Sequence, residues 1–93
     1  MSRVKEFDWD SFVEEVTRRD EELGLRLLVC YYNFDHRILK IGTMQNDFEE
    51  GAYIEERREF LAKVLFEMFG HHSGVVVEGL GMGPPVMWPP ISN

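Results

Sequence analysis

The chain is poor in cysteine: Cys30 is the only one among its 93 residues. An internal disulfide is therefore excluded, and with it the disulfide framework that staples many small secreted domains. The sequence also lacks an apolar run of about eighteen residues, which a membrane-spanning helix needs. Its first ten residues, MSRVKEFDWD, contain no apolar segment of the signal-peptide kind. We therefore expect an intracellular, cytoplasmic protein with no membrane partner.

Catalytic and metal-binding motifs are missing as well. The three histidines, His36, His71 and His72, do not have the HxxxH spacing of a zinc site, and a single cysteine rules out a CxxC pair. Cys30 lies in a run of strand-forming residues, where a free cysteine is most often a small buried apolar side chain. We expect no catalytic residue, no metal and no cofactor.

Positive charge is scarce beside negative charge, with 10 basic against 17 acidic residues and a formal net charge of −7. The acids concentrate in residues 1–24 and 47–59. Such a surface repels phosphate groups, which argues against a nucleic-acid partner, and it attracts a basic protein surface. The same charge can also serve solubility alone. The acids that we expect to contact a basic partner are Glu14, Glu15, Glu21, Glu22, Asp47, Glu49, Glu50, Glu55 and Glu56.

The last fifteen residues, 79–93, contain no charged side chain and all four prolines of the chain. Proline excludes a helix here, because it lacks the N–H group and clashes with the preceding turn. The segment is also too apolar for an ordinary solvated tail. We therefore divide the chain into a core domain, 1–78, and a C-terminal tail, 79–93, that packs on its own domain, on a second copy or on a partner. Trp88 is the expected anchor of a contact made by Val86, Met87, Trp88 and Ile91.

Two helices are predicted from apolar residues at helical spacing. Asp8 is a suitable N-cap for the first, which carries the stripe Trp9, Phe12, Val13 and Val16. Gly24 is a natural residue to follow its end. The second helix covers about residues 53–69, and Gly70 ends it.

Three strands are predicted from strand-forming residues. Residues 25–32, LRLLVCYY, are apolar on both alternating faces apart from one arginine, which is typical of a buried central strand. A four-residue loop at 33–36 would connect this strand to a return strand at 37–44. The third strand, 74–80, contains three successive valines.

These elements predict an α+β domain in the order α-β-β-α-β, with a mostly antiparallel sheet and two helices on one face. The alternative is a ferredoxin-like βαββαβ domain with residues 3–7 as an added first strand. The helical spacing of apolar residues and their alternation along the strands together predict one core. Its expected members are Phe12, Val16, Leu27, Val29, Leu39, Ile41, Leu61, Val64, Leu65, Met68 and Val76.

A short acidic chain without a catalytic constellation is typical of proteins that act by binding other proteins. We expect an inhibitor or adaptor of the immunity or phage anti-defence type that binds a basic surface stoichiometrically. The alternative is a homo-oligomeric structural or small-ligand-binding protein, in the simplest case a homodimer. In that case the tails cross between subunits and build pockets lined by Trp88, Tyr31, Tyr32 and Met87.

Overall fold

The computed structural model describes residues 6–43, 48–70, 73–78 and 86–88 of the chain. Within it, the first helix begins where the sequence predicts. Helix α1, Trp9–Arg19, starts after Asp8, whose carboxylate accepts a hydrogen bond from the backbone N–H of Ser11 at 3.1 Å. This bond satisfies one of the N–H groups that the first turn of a helix leaves without a partner.

A second helix, α2, occupies Glu21–Leu27, where the sequence predicts the end of α1 and the start of a strand. Asp20 ends α1 and caps α2, because its carboxylate accepts a hydrogen bond from the backbone N–H of Leu23 at 3.2 Å. Leu23 and Leu27, four residues apart, are both fully buried. The predicted strand 25–32 is therefore wrong in its first half, because a short apolar run fits a buried helix as well as a strand.

Gly24 lies inside α2 rather than after a helix end, and it permits a close approach to α1. A Cβ atom at this position would lie 2.5 Å from the Cα atom of Thr17, far inside van der Waals contact. The backbone of α1 therefore occupies the space that any larger residue at position 24 would need.

The two strands that follow form the predicted hairpin with a shorter loop. Strands β1, Cys30–Asp35, and β2, Ile38–Thr43, are antiparallel. The loop consists of His36 and Arg37, with φ of 52° and 64°. Two left-handed residues are the signature of a type I′ turn, whose twist matches that of the flanking strands. The expected loop at 33–36 is thus wrong, because strand pairing continues up to this turn.

The predicted second helix is divided into α3, Phe48–Glu55, and α4, Arg58–Phe69. Arg57 lies at the break, and its N–H donates to the carbonyl of Ile54 at 3.0 Å, which is the tighter i→i−3 bond of a 3₁₀ turn. Gly70 ends α4 as predicted, with φ of 77°. Within the described ranges, no helix has the length and apolar content needed to cross a membrane.

The described strands form one sheet in the order β1-β2-β3-β4. Strand β3, Ser73–Val77, is parallel to β2, and β4, Val86–Trp88, is antiparallel to β3. The α+β class is confirmed, with a mixed sheet. The order of the described elements is α-α-β-β-α-α-β-β, which corrects the expected α-β-β-α-β. The ferredoxin-like alternative needs a strand at 3–7; Phe7 is not in a strand, and residues 3–5 lie outside the described ranges.

The helices and one face of the sheet form the core. Leu39 and Ile41 of β2 share this face with Val75 and Val77 of β3, and all four are buried. The core contains the following buried side chains: Phe12, Val13, Val16, Leu23, Leu27, Leu39, Ile41, Ile54, Leu61, Ala62, Val64, Leu65, Phe69, Val75 and Val77.

Three predicted core positions are corrected. Val76 points to the opposite face of β3 from Val75 and Val77 and is half-buried, because successive strand residues alternate between faces. Met68 is half-buried at the margin of the core. Val29 is exposed in the turn before β1.

Candidate functional site

Five large apolar side chains are exposed within residues 25–32. Leu25 is 54% exposed, Leu28 63%, Val29 61%, Tyr31 48% and Tyr32 45%. We call these five residues the apolar strip. Scattered exposed apolar residues are normal on a folded protein, whereas five within eight consecutive residues make this segment the candidate contact surface. Tyr31 and Tyr32 are successive residues of a strand and point to opposite faces of the sheet.

The fold explains why the apolar strip is exposed. Helix α2 buries Leu23 and Leu27, which leaves Leu25 on its outer side. Leu28 and Val29 follow in the turn, and β1 has a neighbouring strand on one side only in the described part of the sheet. Residues that the sequence predicts to lie in a buried central strand thus form the exposed apolar strip instead.

A groove lies beside the apolar strip and shares Leu28 with it. Its volume is about 670 Å³. The groove combines apolar side chains with three acids and one arginine, and we call it the acidic groove. Its lining residues are Trp9, Asp10, Val13, Glu14, Glu15, Thr17, Arg18 and Leu28.

Aromatic stacking holds one wall of the acidic groove in place. The ring of Trp9 stacks on that of Tyr32, with centroids 4.5 Å apart and an interplanar angle of 7°. Phe7 stacks on Phe34 at 4.5 Å and 16°, and its ring also lies 5.9 Å from that of Tyr32. Such a cluster restricts the rotamers of its members, so Trp9 presents a fixed surface.

Charge along the acidic groove is uneven. Glu15 forms ion pairs with Arg18 and with Arg19, the latter at 2.7 Å. Hydrogen bonds from these two guanidinium groups lower the pKa of Glu15 to about 2. Asp10 and Glu14 form no ion pair with any described residue. Among the described residues, the negative charge of the groove that no ion pair compensates therefore lies at Asp10 and Glu14.

Other predicted contact acids are partly compensated by arginines within the chain. Glu22 and Glu50 both pair with Arg26, at 2.8 and 3.1 Å, and these hydrogen bonds raise the pKa of the guanidinium group. Glu55 lies 3.8 Å from Arg58. The arginines thus reduce the negative charge that these three acids offer to a partner.

The remaining predicted contact acids have different positions. Glu21, Glu49 and Glu56 are exposed, and none forms an ion pair within the described ranges. Asp47 lies outside those ranges. The structure thus brings Glu14 and Glu15 together at the acidic groove.

The tail residues Val86, Met87 and Trp88 are half-buried in β4. Trp88 lies opposite Ser73 and packs against the core, with the Lys63 ammonium 5.8 Å from its ring centroid. Ile91 lies outside the described residues. In its described part the tail therefore pairs with its own chain.

The four residues expected to line a ligand pocket do not converge within one chain. Tyr31 and Tyr32 lie on β1, whereas Met87 and Trp88 lie on β4, and two strands separate β1 from β4. At about 4.8 Å between neighbouring strands, the two pairs are roughly 14 Å apart.

Cys30 is half-buried at the start of β1, and its thiol donates to the carbonyl of Arg26 with a sulfur–oxygen distance of 3.4 Å. Burial, and secondarily the charge of Glu50, raises the pKa of the Cys30 thiol to about 11. A nucleophilic cysteine needs the opposite shift, because the thiolate is the reactive form.

We expect the native protein to react slowly with iodoacetamide at pH 8. The raised pKa keeps the Cys30 thiol protonated there, so alkylation should be at least about tenfold slower than in the urea-unfolded chain. Mass spectrometry of timed samples measures both rates. Equal rates in the folded and unfolded states would contradict the described environment of Cys30.

No metal site is formed within the described ranges, where no group of three candidate ligand side chains comes together. His36 is exposed in the β1–β2 turn, 3.5 Å from the carboxylate of Asp35. His71 and His72 lie outside the described residues.

The apolar strip and the acidic groove are not predicted from the sequence pattern, although one signal for α2 is present. Asp20 is followed by two acids, and Leu23 and Leu27 have helical spacing. An N-cap followed by acids in the first turn is typical of a helix start. A helix over residues 21–27 would place Leu25 on its outer side and Leu28 just after its end, instead of in a central strand.

Comparisons with known proteins give no assignment. No protein-family model matches the chain, and no similar curated protein or solved structure was found.

Proposed function

We propose that this protein is a small acidic binding module that acts in the cytoplasm by stoichiometric contact with another protein. The observation that carries this proposal is the apolar strip, with five large apolar side chains about half exposed or more. Burial of such side chains drives most protein association, and a few of them usually supply most of the binding energy.

The charge of the chain indicates the kind of partner. Exposed acids that form no ion pair with a described residue, such as Glu14 and Glu21, lie on α1 and α2 near the strip. They favour a partner with a basic surface around an apolar contact and disfavour nucleic acid. An inhibitor or adaptor of the immunity or phage anti-defence type fits such a surface, because a protein of this type acts by tight binding alone.

Substitution within the apolar strip tests this function. The partner is captured with the wild-type chain from its native host, purified, and titrated against Val29→Arg. We expect at least about tenfold weaker binding, since the change removes an apolar contact and repels a basic surface. Ala52→Arg, an equal charge change at an exposed position of α3, is the matched control. Binding of Val29→Arg equal to that of Ala52→Arg would contradict the assignment of the surface.

The affinity for the partner is expected to fall as salt concentration rises. Exposed charges lose influence beyond about 8 Å at physiological ionic strength. Calorimetric titration at low and high sodium chloride measures the effect. An unchanged dissociation constant would mean that charge attraction does not contribute to binding and that the apolar contact supplies the affinity.

The second candidate function is that of a homo-oligomer. Strand β1 favours it, because it has a neighbouring strand on one side only in the described part of the sheet. An outer strand with exposed tyrosines, such as β1 with Tyr31 and Tyr32, can pair with a second copy. Light scattering separates the two proposals. A monomer supports the binding module, whereas a dimer that Val29→Arg dissociates supports the oligomer.

A further inference from the structure

We infer that the acidic groove receives a basic amphipathic helix of the partner protein. This inference rests on the proposed function and adds the identity of the bound element. It follows from the shape of the groove, from its apolar lining and from the position of its uncompensated charges.

The shape of the groove suits a helix. Trp9, Val13 and Thr17 are spaced by four residues and line one side of α1, so together they extend for roughly 12 Å along the helix axis. Leu28 lines the groove from the chain just after α2. A partner helix lying along α1 can place successive apolar residues, one turn apart, between these side chains.

The apolar lining supplies the binding energy. Trp9 is held by its stack on Tyr32 and loses little rotamer freedom when a partner binds. Leu28 is 63% exposed and gains burial on contact. Trp9 and Leu28 are therefore the two lining side chains that we expect to anchor an apolar residue of the partner.

The charges of the groove determine which way the basic side of the bound helix faces. Asp10 and Glu14 are four residues apart, which places them about 6 Å apart along α1. Lysine or arginine residues at the same spacing on a partner helix can face both acids. Glu15 offers less attraction, since Arg18 and Arg19 already neutralise it. The basic side of the partner helix therefore lies toward Asp10 and Glu14.

Backbone chemistry favours a helix over an extended strand as the occupant. The α1 wall presents only side chains, because the N–H and C=O groups within a helix bond to one another. An extended strand would leave its own N–H and C=O groups unpaired over the apolar lining, which is costly. A helix satisfies these groups internally.

Two synthetic peptides of leucine and lysine test the inference. Both have the same composition and a length of about four helical turns, one with helical periodicity and one with strict alternation. Amide chemical shifts of the labelled full chain are followed during titration. We expect the helical peptide to bind saturably at one to one, with the largest shifts in Trp9–Arg19 and at Leu28, and at least about tenfold more tightly than the alternating peptide.

Matched variants locate the binding. Leu28→Arg should weaken binding of the helical peptide at least about tenfold, whereas Ala52→Arg, the same charge change at an exposed position of α3 outside the groove lining, should change it less than about threefold. Equal binding of both peptides, equal effects of both variants, or no saturable binding would overturn the inference. The proposed function would stand separately if Val29→Arg still reduced the affinity for the native partner.

Discussion

Replacing Leu61 by alanine is expected to lower the free energy of unfolding by about 2–5 kcal/mol. Leu61 is fully buried on α4 among the core side chains. Its truncation removes apolar contacts and leaves a cavity that the surrounding sheet and helices fill only in part. Urea denaturation followed by far-ultraviolet circular dichroism measures the change.

The control for this prediction is on the same helix. Lys63→Ala changes an exposed side chain of α4 whose ammonium lies 5.8 Å from the Trp88 ring centroid, and it should lower the free energy of unfolding by less than about 1 kcal/mol. A similarly small loss for Leu61→Ala would mean that α4 faces the sheet with another side.

Replacing Gly24 by alanine is expected to destabilise the fold by about 1–3 kcal/mol. Alanine is the better helix former by about 1 kcal/mol, so helix propensity alone predicts the opposite sign. Steric conflict outweighs propensity here, because the added Cβ would lie 2.5 Å from the Cα atom of Thr17. Relief requires α1 and α2 to move apart. Thermal and urea denaturation measure the effect.

Leu25→Ala provides the comparison for Gly24→Ala. Leu25 is the next residue of α2 and is exposed, so its truncation should change stability by less than about 0.5 kcal/mol. A Gly24→Ala protein as stable as wild type would show that α1 and α2 are not packed closely at this point. Because Thr17 lines the acidic groove, the same variant should also weaken binding of the helical peptide.

The elements that the sequence predicts well are those with a local cause. Asp8 caps α1 through its own side chain, and Gly70 ends α4 in a left-handed conformation that glycine adopts without strain. The valines of β3 show the limit of such prediction. Three identical side chains in succession give no alternation, so only pairing with β2 decides that Val75 and Val77 are buried and Val76 is not.

The candidate site was harder to predict, because it depends on contacts between distant parts of the chain. Residues 25–32 are apolar enough for a buried strand. Leu25 is exposed because it lies on the outer side of α2, and Tyr31 and Tyr32 are exposed on β1, which has one neighbouring strand in the described sheet. Glu50 likewise forms an ion pair with Arg26, 24 residues away in the sequence, which local sequence does not indicate. Composition predicts a contact surface of acids, and we propose the exposed apolar strip as its centre.

Hydrogen exchange of the full chain, free and bound to the purified native partner, tests the central claim most directly. The account predicts slower exchange on binding at the backbone amides of residues 25–32 and of α1, with Phe60 to Phe69 on α4 unchanged as the internal reference. Protection confined to α4 or β4, with residues 25–32 exchanging as fast as in the free protein, would contradict the assignment of the apolar strip as the contact surface.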